Sequence, residues 1–460
     1  MTASRAPGPE PGRAPDPGSG LGRAPDPGFR LGPDPDPGSR LGPGPDPAPG
    51  CGLDYVLPLR WTEDSGLDEL TGYLRGLRRH ARVIVVDGSP PELFDRHARR
   101  WHGLVTHLRP DPDLDFANGK VSGVVTGMRR ATAGHVVIAD DDVRYDAAAL
   151  ERVRALLEEA DLVRPQNHFD PLPWHARWDT ARTLLNRGLS ADYPGTFGVR
   201  RSSFEWMGGY DGDVLFENLE LIRTVRAWGG RELRPPDLYV RRLPPDAGRF
   251  WSQRVRQAYD DLAQPGRMAF FLAVLPALAA ALLRRRHRAV LAGAGLAAGL
   301  AEVGRRRAGG RRVFPADASL FAPVWVLERA VCSWLALAAR LRGGVPYAGR
   351  RLRVAAHSVR WITEHRLSGG RSRPDGRPRK GCARNGRPQD ERPEDGRSLG
   401  GGRSPDGERR AESRQSGGSG SPPARKPAAL CEPSQNGLTP DSPQRHNATV
   451  ARPGSTGLPS

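Results

Sequence analysis

His135-Val136-Val137-Ile138-Ala139-Asp140-Asp141-Asp142 is the stretch that decides the fold of this chain. Four small or β-branched apolar residues run without a polar interruption, which is typical of a strand buried on both faces of a parallel sheet. Three carboxylates follow at the carboxyl end of that strand, where ligands bind in open α/β sheets. Adjacent anions repel one another at the edge of a low-dielectric core. The trio therefore indicates either a bound cation or an acidic turn before a helix capped by Asp146.

The residues around this strand alternate between strand and helix patterns. Strands are predicted at residues 55–59, 82–86, 104–108 and 162–163. Helices are predicted at residues 65–77, 91–101, 121–128 and 150–157, because their apolar residues recur at helical spacing. This alternation predicts a parallel sheet with right-handed crossovers, which is the α/β class.

The two ends of the chain differ in composition from its middle. Of 460 residues, 56 are Gly and 45 are Pro, concentrated at the ends, and only 37% are hydrophobic. Segments with so few apolar residues cannot bury a core. We therefore predict a disordered arm over residues 1–52 and a disordered tail over 367–460. Between them we expect a catalytic domain at 53–265 and an apolar helical region at 266–366.

The formal charge of +18 comes almost entirely from arginine, since the only lysines are Lys120, Lys380 and Lys426. A GC-rich genome explains this bias as well as phosphate binding does, so nucleic acid is not expected as a partner. Four well-separated cysteines suggest a reducing compartment without a disulfide framework. No apolar signal segment follows Met1, so the catalytic domain is expected in the cytoplasm.

Several further motifs follow one another in a fixed order. They are Val85-Val86-Asp87-Gly88-Ser89, Asn118-Gly119-Lys120 followed by Gly127, the Asp140–Asp142 trio, Gly208-Gly209-Tyr210-Asp211-Gly212-Asp213, and Phe216-Glu217-Asn218-Leu219-Glu220-Leu221. In this order the motifs resemble glycosyltransferase family 2, whose members have a GT-A nucleotide-sugar-binding fold. The resemblance covers roughly residues 53–265, and the trio occupies the family's D-x-D position.

The resemblance implies transfer of a sugar, with inversion, from a nucleotide-diphosphate sugar with the help of Mn²⁺ or Mg²⁺. A divalent cation offsets the charge of the leaving diphosphate. By resemblance Asp142 would bind the metal directly, and Asp140 would reach the metal or the ribose. Asp87 would meet the base edge, although a turn aspartate before glycine is the simpler interpretation. Pro58 would line the nucleotide pocket. Lys120 is either a compact ammonium near the diphosphate or a solvated lysine at a helix start.

The catalytic base is less clear than the metal site. An inverting transfer needs a base for the proton of the acceptor hydroxyl. In the family this is the aspartate of an E-D pair, and here Asn218 stands at its position. An amide cannot accept that proton at neutral pH. Either Glu217 or Glu220 takes over, or the protein transfers slowly or not at all. We favour Glu217, because the helix dipole at a first turn favours its ionised form.

The acceptor is expected to contact residues outside the metal site. Residues 167–179 are aromatic and loop-like, which suits stacking of Trp174 on an acceptor or simple packing under a loop. Asp211 and Gln253 are the other predicted acceptor-binding residues.

Gln253-Arg254-Val255-Arg256-Gln257 resembles the Q-x-x-R-W motif of membrane-bound family members. Arg256 would neutralise the leaving diphosphate. Gln257 replaces the tryptophan that stacks on a growing sugar chain in those relatives, which argues against a processive polymerase.

The region after Gly266 is apolar enough to suggest contact with membrane lipid. Segments 268–283 and 289–303 are shorter than the roughly 20 residues that span a bilayer, and segment 319–341 contains charged residues. Basic connectors at 284–288 and 305–312 cannot both satisfy the positive-inside rule across a hairpin. A re-entrant or interfacial pair held by anionic lipid therefore competes with true spans. We predict membrane association and leave the number of crossings open.

The sequence thus predicts a metal-dependent transferase acting on a nucleotide-diphosphate sugar and an unidentified acceptor, for which a lipid-linked carrier is suitable. One alternative is a nucleotidyltransferase, which needs a Gly-rich basic loop after the first strand, and residues 57–61 lack the glycines. The other alternative is a membrane-bound sugar-nucleotide binder that lost its base at Asn218.

Overall fold

The computed structural model describes residues 52–347 and 349–366. The predicted tail, and the predicted arm except for Gly52, lie outside these residues. The strands are β1 (Leu53–Leu59), β2 (Arg82–Asp87), β3 (Thr106–Leu108), β4 (His135–Ala139), β5 (Val143–Arg144), β6 (Leu162–Val163), β7 (Gln166–Phe169), β8 (Thr196–Arg200), β9 (Glu232–Leu233), β10 (Tyr239–Arg242), β11 (Val345–Tyr347) and β12 (Arg350–Leu352).

The helices lie between and after these strands. They are α1 (Leu67–Leu77), α2 (Pro91–Trp101), α3 (Gly119–Arg130), α4 (Ala147–Leu157), α5 (Trp174–Leu189), α6 (Arg201–Trp206), α7 (Glu217–Ala227), α8 (Ala247–Ser252), α9 (Arg254–Tyr259), α10 (Pro265–Leu283), α11 (His287–Arg306), α12 (Ala322–Leu341) and α13 (Val359–Arg366). Short 3₁₀ turns occupy Asp260–Ala263, Arg307–Arg312 and Ala316–Phe321.

The central sheet has the strand order β3-β2-β1-β4-β8-β6-β9. Strands β3, β2, β1 and β4 are parallel, β8 is antiparallel to both of its neighbours, and β6 pairs with β9 in parallel. The predicted α/β class with a mainly parallel sheet is confirmed. Because Val56 pairs with both Ile84 and Ile138, the carboxyl ends of β1, β2 and β4 share one edge.

The apolar runs of these strands supply both faces of the sheet. Tyr55 and Leu57 pack on one face with α1 and α4, whereas Val56 packs on the other face with α3 and α7. Successive side chains of a strand point to opposite faces, so a strand covered on both faces is apolar at every position. This is the pattern that predicted β4.

A small sheet lies beside the edge of the central sheet where the carboxyl ends of β1, β2 and β4 meet. Strand β10 pairs antiparallel with β5 and parallel with β7. Leu243 N, just after β10, donates to Asp142 O at 2.8 Å. The small sheet therefore brings the end of β10 beside the acidic turn.

Helix caps follow the predicted signals. The Asn118 side chain accepts a hydrogen bond from Lys120 N and caps α3, and the Asp146 side chain accepts from Ala149 N at 2.7 Å and caps α4. Asp146, rather than the trio, thus supplies the cap of the helix that follows.

One prediction about local structure is wrong. Residues 167–179 do not form one loop, because β7 continues to Phe169 and α5 begins at Trp174. The prolines suggested a loop, but Pro173 occupies the N-cap of α5, where no intrahelical N–H bond is required. The predicted third strand is also shorter than expected, since β3 begins at Thr106.

Two helices are long and apolar enough to cross a membrane by length and composition, Pro265–Leu283 and Ala316–Leu341. The same length and composition also occur in core helices of soluble proteins. Helix α10 is largely exposed, with Met268 and Phe271 as its buried residues.

Helix α3 approaches β1 more closely than a side chain allows. A Cβ atom at Gly127 overlaps the Val56 side chain, whereas a Cβ at Gly72 in α1 meets no atom within 4 Å. We expect Gly127→Ala to lower the free energy of unfolding by about 1–3 kcal/mol through overpacking. The matched Gly72→Ala variant should be neutral or more stable by about 0.5–1 kcal/mol. Urea unfolding of both variants measures this, and equal stabilities would contradict the close approach.

Candidate active site

The acidic turn, Asp140–Asp142, lies between β4 and β5, at the edge of the central sheet where the carboxyl ends of its parallel strands meet. Asp140 N donates to Gly195 O at 2.9 Å, and Val143 N donates to Asp140 O at 3.1 Å. The Asp141 carboxylate accepts a hydrogen bond from the indole N–H of Trp61. The turn is therefore fixed by backbone bonds.

Lys120 links the acidic turn to the start of α7. Its Nζ lies 2.5 Å from Asp140 Oδ1 and 2.8 Å from Glu217 Oε1. Burial lowers the pKa of Lys120, but the charges of Asp140 and Glu217 outweigh that effect and raise the pKa above its ordinary value. Lys120 is thus a charged ammonium held between two carboxylates. The predicted nucleotide-pocket residue Pro58 lies close by, where α3 packs on β1 at Gly123.

The first turn of α7 brings two polar side chains into the same cluster. Glu217 Oε2 accepts from Asn118 Nδ2 at 3.4 Å. Asn218 Oδ1 lies 3.5 Å from Lys120 Nζ, and Asn218 Nδ2 donates to Pro194 O at 3.2 Å. The amide at the family's base position therefore lies in the site, next to the ammonium.

Glu220 lies one turn later in α7, and its side chain contacts His357. It is 1% exposed and accepts from His357 N at 2.7 Å, with His357 Nδ1 at 3.1 Å. The predicted acceptor residue Asp211 belongs to the same group, because its Oδ2 lies 3.9 Å from His357 Nδ1. Of the two predicted bases, Glu217 contacts Lys120 and Glu220 contacts the segment that precedes α13.

Arg242, at the end of β10, is a site residue that the sequence did not indicate. Its Nε donates to Asp142 Oδ2 at 2.9 Å, and its Nη2 lies 3.6 Å from Asp140 Oδ2. Burial raises the pKa of Asp142 to about 6, together with repulsion from Asp140 and Asp141, although Arg242 opposes the shift. A Cβ at Gly195 would lie 2.5 Å from Asp140 Oδ2 and 3.3 Å from Arg242 Cζ, so a side chain there would have to displace the Asp140 carboxylate.

The residues of this turn fit a divalent cation. Asp142 Oδ1 is buried and has no hydrogen-bond partner among the described residues. An unpaired buried carboxylate oxygen is costly unless a ligand meets it. Carboxylate oxygens are the ligands that Mg²⁺ and Mn²⁺ prefer. Asp142, with Asp140 beside it, therefore has the chemistry of a metal site.

Asp87 ends β2 in a buried group with two histidines. Its Oδ2 accepts from His97 Nδ1 at 2.6 Å and from His107 Nε2 at 3.0 Å, and its Oδ1 accepts from Ser89 N at 2.9 Å. These bonds outweigh the opposing effect of burial and hold the pKa of Asp87 well below its usual value. The carboxylate is fully buried and bonded to protein groups. Its predicted contact with a base edge stays a prediction.

His97 is held between two aspartates. Its Nε2 lies 2.9 Å from Asp64 Oδ1, opposite the bond from Nδ1 to Asp87. Ionised carboxylates only accept hydrogen bonds, so this geometry favours a proton on each ring nitrogen, as in an imidazolium. The separation of 2.6 Å is shorter than the roughly 3.3 Å expected between two tetrahedral zinc ligands, so hydrogen bonding explains this group better than a metal does.

The remaining predicted residues are Arg256, Gln253 and Trp174. The guanidinium carbon of Arg256 lies 5.6 Å from the centroid of the Tyr347 ring, and Tyr347 OH donates to Asn118 Oδ1 at 3.2 Å. Gln253 ends α8. Trp174 is 52% exposed, and its ring lies 6.2 Å from that of Trp251. Sequence reasoning missed Tyr347, which follows three helices later in the chain.

Comparison with known proteins gives only distant likenesses. No family model matches the chain, and no curated protein matches it. A mannosyltransferase from Pyrobaculum calidifontis, solved with GDP-Man and Mn²⁺, is 19% identical at a TM-score of 0.34, over 70% of this chain and 87% of that one. A protein assigned as a nucleotide-diphospho-sugar transferase from Desulfovibrio desulfuricans G20 is 12% identical at a TM-score of 0.27, over 42% of this chain and 82% of that one. TM-scores this low do not establish a shared fold.

The imidazolium of His97 makes stability depend on pH. Burial lowers the pKa of His97, but Asp87 and Asp64 outweigh it and raise the pKa above its ordinary value. A group whose pKa is higher in the folded than in the unfolded protein stabilises the folded state. This stabilisation is complete below the unfolded pKa, about 6.5 for histidine, and is lost as the pH rises through the folded-state pKa. We expect His97→Gln to destabilise the protein more at pH 6 than at pH 9.

Chemical unfolding at the two pH values measures the effect of His97→Gln. His102→Gln is the matched control, because His102 is exposed just after the same helix. If His97→Gln lowered the free energy of unfolding equally at both pH values, the His97 ring would be neutral.

Proposed function

We propose that the chain is a glycosyltransferase that moves a sugar from a nucleotide-diphosphate donor to an acceptor hydroxyl. The observation that carries this proposal is the contact of Lys120 Nζ with both Asp140 and Glu217, beside the unpaired oxygen of Asp142. In this proposal the arrangement would supply a cation site, an ammonium for the phosphate oxygens and a carboxylate at one edge of the sheet. It lies at the carboxyl ends of parallel strands, where α/β proteins bind nucleotides.

Donor binding in this proposal uses charge. Asp140 and Asp142 would hold Mn²⁺ or Mg²⁺, which when bound supplies Lewis-acid stabilisation of the departing diphosphate. Lys120 and Arg256 would add positive charge for the phosphate oxygens. Arg242 keeps the Asp142 carboxylate ionised against burial and against its acidic neighbours. Asp87 and Pro58 would lie beside the base.

Transfer would proceed by one displacement with inversion. The acceptor oxygen forms a bond to the anomeric carbon while the bond from that carbon to the diphosphate oxygen breaks. The hydroxyl proton passes to the Glu217 carboxylate. Lys120 and Asn118 hold Glu217 in place through the bonds at 2.8 and 3.4 Å. Trp174, Asp211 and Gln253 remain proposed acceptor contacts, although Asp211 pairs within the group around His357.

Asn218 favours a second candidate function, a sugar-nucleotide binder with weakened catalysis. Its amide donates to Pro194 O at 3.2 Å and contacts Lys120, so it occupies the place of a base without accepting a proton. Turnover decides between the two functions. A binder would take up the donor without releasing diphosphate.

We propose further that the apolar helices bring the domain to a membrane from the cytoplasmic side, where a lipid-linked acceptor would be available. Support comes from the length and composition of Pro265–Leu283 and Ala316–Leu341.

A nucleotide-sugar panel tests the proposed reaction. Full-length protein is incubated with each sugar nucleotide and Mn²⁺, while thermal stability and nucleoside diphosphate release are followed. We expect one donor to raise the melting temperature and to be turned over. Stabilisation without release would favour the binder. Turnover of nucleoside triphosphates, without binding of any sugar nucleotide, would favour a nucleotidyltransferase.

Removal of Asp142 tests the metal site. We expect Asp142→Ala to lose the stabilisation by Mn²⁺ and to lower donor turnover at least about 100-fold, because charge stabilisation of the leaving group is lost. Asp95→Ala, at an exposed position of α2, is the control. Normal turnover by Asp142→Ala in the presence of chelator would rule out the cation site.

Removal of the proposed base separates binding from catalysis. We expect Glu217→Gln to lower kcat about 10²–10⁴-fold and to leave donor affinity within a few-fold, because the amide retains one acceptor oxygen for Lys120. Glu220→Gln, one turn later, tests the competing candidate and should change kcat less than about tenfold while lowering stability through its bonds to His357. If Glu220→Gln lowered kcat more than Glu217→Gln did, the base would be Glu220.

A further inference from the structure

Helix α12 has an apolar stripe along one side. The exposed members of this stripe are Val324, Leu327, Val331, Trp334, Leu335 and Leu341. Their spacing of three, four or seven residues places most of them on one face of a helix. Contiguous exposed apolar side chains mark an interaction surface rather than ordinary solvent exposure.

Two charged residues in the middle of α12, Glu328 at the border of the stripe and Arg329 on the side away from it, are paired with neighbouring segments. Glu328 pairs with Arg254, whose Nε lies 3.0 Å from both carboxylate oxygens, and Arg254 Nη1 donates to Asp179 Oδ1 at 2.8 Å. The Arg254 side chain is 2% exposed. Trp178 Nε1 also donates to Glu328 Oε2 at 3.2 Å. Glu328 is therefore bonded to α5 and α9.

Arg329 makes a second ion pair, which is longer than the pair of Glu328 with Arg254 and is not hydrogen-bonded. Its Nη1 lies 3.5 Å from Asp261 Oδ2, and Asp261 Oδ1 lies 2.8 Å from Arg267 Nε. Arg329 is 3% exposed. Both charged residues in the middle of α12 are thus fixed to neighbouring helices.

These pairs conflict with a transmembrane position for α12. In a 20-residue helix that crossed a bilayer, Glu328 and Arg329 would lie near the centre of the hydrocarbon layer. Their partners Arg254, Asp179 and Asp261 would have to lie there as well, together with the helices that carry them. Breaking the pairs instead would leave unpaired charges in lipid.

Helix α11 is also fixed to the catalytic region. A Cβ at Gly304 overlaps Leu184 O, and a Cβ at Gly188 would lie 2.5 Å from Leu300 O, so the backbones of α5 and α11 touch. Arg187 donates to Gly304 O at 3.3 Å and to Arg307 O at 2.9 Å. The hairpin of α10 and α11 therefore returns to the side of α5 instead of leaving the domain.

The connector between α10 and α11 is strongly basic. Arg284, Arg285, Arg286 and Arg288 are all exposed. Clustered arginines beside an apolar helix match the headgroups of anionic lipid. Trp174 and Trp251, 52% and 47% exposed, add tryptophans of the kind that favour the membrane interface.

We infer that helices α10–α12 bind in the plane of one leaflet of an anionic membrane, with the stripe of α12 in the lipid and the basic connector on its headgroups. The connector and the catalytic domain then lie on the same side of the bilayer. This inference rests on the membrane association proposed above, and it replaces a crossing with surface attachment.

Cysteine labelling tests the side on which the connector lies. The four natural cysteines are replaced, and Arg286→Cys and Asp95→Cys are each expressed in the full chain in bacterial cells. A membrane-impermeant maleimide is added before or after permeabilisation. We expect the two positions to label alike in both conditions. Labelling of only one of them in intact cells would place the bilayer between the connector and the domain and overturn the inference.

Vesicle flotation tests the surface itself. We expect the wild-type protein to float with vesicles of phosphatidylcholine and phosphatidylglycerol, and less with phosphatidylcholine alone. The double variant Leu327→Glu/Leu335→Glu should bind about tenfold more weakly. Val359→Glu, an exposed apolar residue of α13 at 36% exposure, is the matched control and should bind like wild type. Circular dichroism melts verify folding of each variant.

The outcomes separate this inference from the proposed reaction. Absence of flotation by the wild type, or equal binding by folded double variant and wild type, would overturn the docking surface. Donor binding and diphosphate release are measured without vesicles, and the residues proposed for them do not include any member of the stripe. An inactive protein that still floats would contradict the proposed function alone.

Discussion

The Lys120 ammonium lies between the carboxylates of Asp140 and Glu217, and the arrangement of the candidate site depends on this contact. Carboxylates gathered at the edge of a low-dielectric core repel each other. Lys120 offsets this repulsion on one side of the acidic turn, and Arg242 offsets it on the other. The balance is incomplete, because Asp142 keeps a raised pKa and an unpaired oxygen. A site with residual negative charge of this kind suits a divalent cation.

Trp61 connects the acidic turn to the end of β2. Its indole donates to Asp141, and its backbone N–H donates to Ser89 Oγ at 2.9 Å. Its ring also lies 5.6 Å from the imidazolium of His97. Trp61 thus joins the proposed metal residues to the proposed nucleobase pocket around Asp87. Such preorganisation limits the reorganisation needed when a charged ligand binds.

The apolar helices belong to the same bonded structure. The pairs of Glu328 and Arg329 connect α12 to α5, α9 and the turn after α9. Segment 353–357, which follows β12, then returns to the start of α7, where Val354 O accepts from Leu215 N at 3.0 Å and Ala355 O accepts from Phe216 N at 2.8 Å. The helix that begins with Glu217 is therefore held by a segment that follows the apolar helices in the chain.

The sequence by itself determined the α/β sheet, the acidic turn after β4 and the position of Glu217 at a helix start, because apolar periodicity and caps are local properties. It misjudged residues 174–179, since prolines before a helix resemble prolines in a loop. Only the tertiary structure decided the partners of the charges. Arg242 in the site cannot be told from other arginines in so arginine-rich a chain, and His97 and His107 meet Asp87 only after α2 and β3 pack beside β2. Ion-pair partners depend on which distant segments become neighbours, and local sequence patterns do not carry that information.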